Sequence, residues 1–351
     1  MAFGREECMK KERNSSIEML RILAMLGIVI MHTNGAVMEH GSGAGFAWTQ
    51  IENGIFNAGV SIFVLISGYF GIRRSTQKLI ELESTVILYA VLSALVGCYF
   101  GKASILSIIK AFIPVSTNCY WFISCYILLM IFSPYINRAI DSMSELQHRQ
   151  LLLLMSAVFL VAPTVIYYSV LGEGKNVINM LLLYFLGSYI RKYSLDERFD
   201  KKSLLKILIA TTALNVLLNS LISIATGGKP HIPFARDCSV FIVIEAAALM
   251  MFFMKVEFHS DFINRVAKHG YRQVLCANSF TSLAELSLHR AGKPALNYLV
   301  AEDRERVKGG EAACEALDVS SVFCYQPASS SCISMCFMLM YFFPPHWVPA
   351  T

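Results

Sequence analysis

The chain has 351 residues, a length that ordinarily means two or three soluble domains. Hydrophobic residues make up 55 %, charged residues only 16 %, and mean hydropathy is +0.53. A globular domain carries roughly 25 % charge, so this chain has too little polar surface to face water; disorder, a disulfide-stapled secreted module and a nucleic-acid binder are also excluded. What remains is an all-α polytopic membrane helix bundle.

A helix needs about 20 mostly apolar residues to cross a bilayer. Windows of that kind predict eight spans, near 17–38, 55–72, 79–100, 119–137, 151–171, 176–191, 203–225 and 237–256. Gly68, Pro134, Pro163 and Asn215 interrupt several of them. Such residues are tolerated where neighbouring helices re-satisfy the backbone, which points to a packed bundle.

Basic residues predict the orientation. The start holds Arg5, Lys10, Lys11 and Arg13, while the connection between the first two spans holds only Glu39 and Glu52. Arg73, Arg74 and Lys78 follow the second span, and Arg191, Lys192, Arg198, Lys201, Lys202 and Lys206 the sixth; the alternate connections are poor in cations. This alternation predicts a cytoplasmic N-terminus over residues 1–16 and a multi-pass protein of the cell (inner or plasma) membrane. The first apolar stretch is too long for a cleavable signal peptide and lacks a small-residue cleavage site. No internal repeat is visible that would support an inverted-repeat transporter.

The ten cysteines sit mostly alone in apolar stretches, with no CxxC pair, so neither a structural metal site nor a disulfide framework is expected. His40, His148, His231 and His259 fall at span ends or in loops, where solvated side chains are expected. Tyr120 and Trp121 open the fourth span, as interfacial aromatics do.

Chemistry is expected from the first span, SSIEMLRILAMLGIVIMHTN. Arg21 and His32 are eleven positions apart, three helical turns plus about 20°, so both lie on one face about 16 Å apart along the axis. An intramembrane ionisable pair on one face reads as a functional site; the plainer reading has Arg21 snorkelling to headgroups and His32 bonding a neighbouring helix. Glu18, three residues before Arg21, is placed to anchor it.

The stretch EMLRILAMLGIVIMH resembles the first helix of the integral-membrane acyltransferase 3 family, whose signature of Arg, ten residues, then His is matched by Arg21 and His32. The second span resembles the family's next block through Gly59, Val60, Phe63, Ser67 and Gly68, followed by arginines. A third block is matched by Trp121, Phe122, Tyr126 and Pro134. The resemblance covers roughly residues 14–268 and implies a membrane acyltransferase domain over 17–269. It implies transfer of an acyl group, with acetyl expected, from acyl-CoA as donor substrate to a hydroxyl of an envelope or exported saccharide, without a bound cofactor or metal. His32 would be general base or transient acyl carrier. Arg21 would hold the thioester carbonyl or a phosphate, or orient the site. Arg73 and Arg74 would contact the donor phosphates, against the plainer reading of positive-inside charge. Glu18, Ser67 and Trp121 would support the site, Ser67 by lining a cavity and otherwise by close packing.

The lipid bilayer, acyl-CoA and the saccharide are the expected partners, and nucleic acid is not. The rival function is a transporter or flippase for a polar lipid or saccharide, and a third reading is an inactive product of a damaged gene. Family pattern is expected to stop near 269. From Gly270 to about Ser320 no window could span a bilayer, and the apolar run Cys332–Phe343 is too short to cross. A change of reading frame near codon 269 would explain this atypical tail (270–351); a genuine cytoplasmic appendage with a helical element at 298–317 is the rival.

Overall fold

A computed structural model describes residues 14–33, 43–99, 104–117, 121–166, 172–227 and 231–265. Tyr120, His40 and the tail from 270, with its expected reading-frame change or appendage, lie outside the described residues. Among those described, every regular element is helical and no strand occurs. Two compact units form, the larger from 14–75 and 125–265 and the smaller from 76–124.

In chain order the larger unit begins with α1 (Ser15–Thr33), α2 (Gly43–Phe56) and α3 (Gly59–Phe70). The smaller unit holds α4 (Thr76–Tyr99) and α5 (Ile105–Ala111), closed by the reciprocal Ser104–Ser107 cap. Helix α6 (Trp121–Ser142) starts in the smaller unit and runs on into the larger. There follow α7 (Glu145–Ser156), a π-helical turn (Ala157–Val161), α8 (Ala162–Ile166), α9 (Val177–Lys192), α10 (Lys201–Ala225), α11 (Val240–Met254) and α12 (Asp261–Arg265).

Each of the eight predicted spans overlaps helix among the described residues. Among the described residues five runs are long and apolar enough to cross a membrane: Ala47–Phe70, Thr76–Tyr99, Trp121–Ser142, Glu145–Ile166 and Lys201–Ala225. Helices α9 and α11, with 16 and 15 residues, fall short of a full crossing length. The connection ahead of the second span is not all loop, since α2 occupies Gly43–Phe56.

Helix α10 shows which solvent the bundle is built for. Its outer face carries Ile209, 60 % exposed, and Ile224, 69 % exposed, while Asn215, Asn219 and Ser223 are fully buried. In water that arrangement is inside out. In lipid it is the favourable one, because buried amides and hydroxyls find partners inside the bundle. Asn219 Nδ2 donates to Asn215 Oδ1 at 2.7 Å, and Asn219 Oδ1 accepts the backbone N–H of Phe234 at 3.0 Å.

The core of the larger unit is the α3–α9 contact. A Cβ on Gly68 would strike the Tyr184 carbonyl, and one on Gly187 would strike the Leu65 carbonyl. Without side chains at these two places the backbones meet closely, as membrane helices do at small residues. Leu65, Leu182 and Tyr184 are fully buried around the contact. Pro134 inside α6 cannot donate to the Met130 carbonyl, and the Ser133 hydroxyl does so instead at 2.8 Å.

Candidate functional site

The site begins at the start of α1. Asn14 caps the helix, its Oδ1 accepting the N–H groups of Ser16 at 3.0 Å and Ile17 at 3.3 Å. Segment 256–264 holds this end: Ser15 Oγ donates to Asn264 Oδ1, accepts from the Ser260 N–H, and the Ser16 hydroxyl donates to the Val256 carbonyl. One turn further in, Arg21 Nη1 donates to Glu18 Oε1 at 3.1 Å, with both side chains largely buried. Helix α1 then continues unbroken to Thr33, so the eleven-residue interval from Arg21 to His32 is helical throughout. The His32 side chain lies outside the described residues.

Helix α3 runs alongside α1 in the opposite direction. Gly59 meets Ile28 and the Ala24 carbonyl: a Cβ there would sit 2.8 Å from Ile28 Cγ1 and 3.0 Å from the carbonyl oxygen. Ser67, two turns later, lies toward the Arg21 end. Its hydroxyl donates to the Phe63 carbonyl at 2.8 Å and lies 3.1 Å from the Tyr126 hydroxyl. Tyr126 is buried, and the Arg21 guanidinium is within electrostatic reach of its hydroxyl. Arg21 with Glu18 and Ser67 with Tyr126 are thus two polar pairs in an apolar surround. Tyr126 belongs to the third family-like block, but only packing brought it to Ser67.

Beyond α3 the chain turns at Gly71, with φ +75° in the left-handed region, and enters the segment carrying Arg73 and Arg74. The Tyr184 hydroxyl accepts the Ile72 N–H at 2.8 Å and donates to Asn137 Oδ1 at 2.7 Å. Asn137 Nδ2 completes the ring by donating to the Ile72 carbonyl at 2.9 Å. Arg73 and Arg74 are exposed, and neither makes an ion pair with a described residue. Arg191 Nη1 reaches the Tyr69 and Phe70 carbonyls at 3.2 and 3.3 Å, and Lys192 Nζ reaches those of Ile140 and Met143 at 2.6 and 2.9 Å. A cation at a helix C-terminus is favoured by the exposed carbonyls and the dipole. Arg191 and Lys192 thus cap α3 and α6, beyond any general charge bias of the connection.

Trp121 lies elsewhere. It opens α6 within the smaller unit and stands edge-to-face with Phe122 at 5.8 Å. His148 is a correction to the sequence reading: it is fully buried, not solvated. Its Nε2 pairs with the Phe185 carbonyl at 3.1 Å, and Phe185, Tyr189 and Tyr193 surround its ring edge-to-face. His259 fits the solvated expectation, 3.2 Å from Asp261 on the exposed surface. A carboxyl that sequence reasoning passed over is Glu245, 2 % exposed in the apolar helix α11. The signal was present as a lone charge inside VFIVIEAAALMMFFM. Among the described residues no group of three or more His, Cys, Asp or Glu could hold a metal ion.

Residues 14–288 match the acyltransferase domain of the acyltransferase 3 family. Searches of curated proteins and of solved structures found no match. The family match takes in more than half of the chain, from the cap of α1 past the last described helix, and it contains Arg21, His32, Ser67 and both arginines after α3. The chain belongs to the acyltransferase 3 family and is a multi-pass membrane acyltransferase.

Proposed function

We propose that the protein transfers an acyl group, acetyl in the expected case, from acyl-CoA to a hydroxyl of an envelope or exported saccharide. The observation that carries this reading is the order of groups along the α1–α3 seam. The exposed Arg73 and Arg74 lie at one end and the Arg21–Glu18 pair with Ser67 and Tyr126 one step inward. The Gly59–Ile28 contact follows, and His32 is one turn beyond Ile28. A donor with phosphates at one end and a thioester at the other of a long arm matches that order. Arginine suits phosphate because its planar fork gives two parallel hydrogen bonds.

At the far end, the His32 imidazole takes the acceptor's hydroxyl proton as that oxygen attacks the thioester carbonyl. The carbon–sulfur bond breaks, and the sulfur leaves as CoA thiolate and is protonated. Neutral imidazole is the side chain suited to this near pH 7. The second route has His32 attack first, carry the acyl group on nitrogen, and pass it to the hydroxyl. In both, Arg21 keeps its charge in a poorly solvated place and orients the donor. The charge pattern of the connections supports an arginine end on the cytoplasmic side of the cell membrane, where acyl-CoA is available.

Membranes holding the purified protein, supplied with acyl-CoA and a panel of glycans, should release CoA over many turnovers only when an acceptor is present. Movement of a glycan or polar lipid across the membrane with no CoA release would replace this reading with a transporter.

A further inference from the structure

The larger unit holds a cavity of about 720 Å³ between α2, α10 and α11, within the range of small-molecule sites. Its walls are apolar, with Ile51 and Ile55 from α2, Leu208, Ile209 and Leu217 from α10, and Leu249 from α11. Ile55, Ile209 and Leu217 are exposed on the outside of the helices. Helices α2 and α10 belong to runs apolar enough to cross a membrane, so a mouth on their outer faces opens toward hydrocarbon and an occupant arrives from the bilayer.

One group breaks the apolar lining. Glu245 is 2 % exposed and faces the cavity, yet neither carboxyl oxygen has a hydrogen bond of ordinary geometry, although Asn215 and Thr212 stand beside it. Buried polar atoms are almost always paired, and an unpaired carboxyl is costly. Glu245 and Thr212 both line the cavity, and a carboxyl with a hydroxyl beside it is complementary to a group that both donates and accepts.

We propose that this cavity binds a hydroxyl-bearing lipid, its hydrocarbon chain along the apolar walls and its hydroxyl donating to Glu245 while accepting from Thr212. An ammonium fits less well. It only donates, so it cannot accept from the Thr212 hydroxyl, and it brings a second charge into an apolar space. The site is read by binding alone and stands whether or not the acyl transfer reading does.

The test is photolabelling of the full-length protein in detergent with a twelve-carbon alcohol bearing a diazirine on its chain, followed by peptide mapping. Label should fall on residues 208–220 and 245–249. Unlabelled dodecanol should reduce it at least tenfold, with dodecane and dodecylamine several-fold weaker as competitors. Glu245→Leu should lower labelling at least fivefold, and Ala213→Trp, which fills the cavity from its wall, should abolish it. If Glu245→Leu does not yield folded protein, Glu245→Gln and Ala213→Trp carry the comparison. Labelling elsewhere, equal competition by dodecane, stronger competition by dodecylamine, or labelling unchanged by the folded variants would each overturn the proposal.

Discussion

The Tyr184 hydroxyl accepts the backbone N–H of Ile72 at 2.8 Å and so ties the middle of α9 to the turn that presents Arg73 and Arg74. Since the same hydroxyl donates to Asn137, three separate parts of the chain set where those arginines stand. Removing the oxygen leaves a buried backbone N–H and an amide oxygen short of a partner, which costs about 1–3 kcal/mol. Tyr184→Phe should lower the melting temperature of the solubilised protein. It should also raise the KM for acyl-CoA several-fold with kcat changed little, as seen in initial-rate kinetics over a range of donor concentrations.

Arg73→Ala with Arg74→Ala should raise the same KM at least tenfold without a loss of stability, because both side chains are exposed and unpaired among the described residues. The wild-type KM should rise with salt and the double variant's should not, since screening weakens exposed charge contacts. A melting curve alongside the kinetics separates this outcome from the Tyr184→Phe one.

Glu18→Gln should cut turnover about tenfold, equivalent to about 1.4 kcal/mol of barrier, with the level of inserted protein unchanged. The pair is largely buried, so its loss leaves the Arg21 guanidinium free to move from the place where Glu18 holds it. Single-turnover rates at saturating acyl-CoA measure the effect apart from donor binding.

Gly187→Leu should prevent recovery of monodisperse protein, and Gly187→Ala should already lower the melting temperature. Overpacking costs about 1–3 kcal/mol even where neighbours can shift, and here the neighbour is the Leu65 carbonyl, part of a helix backbone.

Asp200 caps α10, its Oδ1 accepting the Ser203 N–H at 3.3 Å. Hydrogen bonding from Ser203 holds its carboxyl below the usual 3.8, with a smaller opposing effect of desolvation. A depressed folded value means that the cap's stabilisation is complete above 3.8 and is lost as pH falls through the lower folded value. Amide exchange at the first turn of α10, corrected for intrinsic rates, should lose protection below pH 4 in the wild type. Asp200→Asn, a cap without a titrating group, should show no such step.

Hydropathy made the helices legible, because apolar windows of span length leave a chain few other options in a bilayer. It missed α2, where Gly43, Gly45, Gly54 and Glu52 dilute the apolar signal; tertiary contact supplies the rest, with Gly54 set against Val216 and Glu52 buried. Along one helix, the spacing of Glu18, Arg21 and His32 could be read directly from turn geometry. The partnership of Ser67 with Tyr126, and the Ile72–Asn137–Tyr184 ring, join residues 47 to 112 positions apart and no local pattern announces them. His148 illustrates the same limit. Its neighbours Phe185, Tyr189 and Tyr193 recur every four residues along α9 and its C-cap, yet nothing near His148 in sequence shows that this stripe receives it.

The central claim is that His32 performs the acyl transfer, and His32→Ala tests it most directly. Wild type and variant, purified at equal level and with matching elution profiles, are given radiolabelled acyl-CoA and an acceptor glycan, and label on the glycan is counted. The account predicts a loss of at least about 100-fold, the scale of a missing general base. Acylation near the wild-type rate by the well-expressed variant would contradict it.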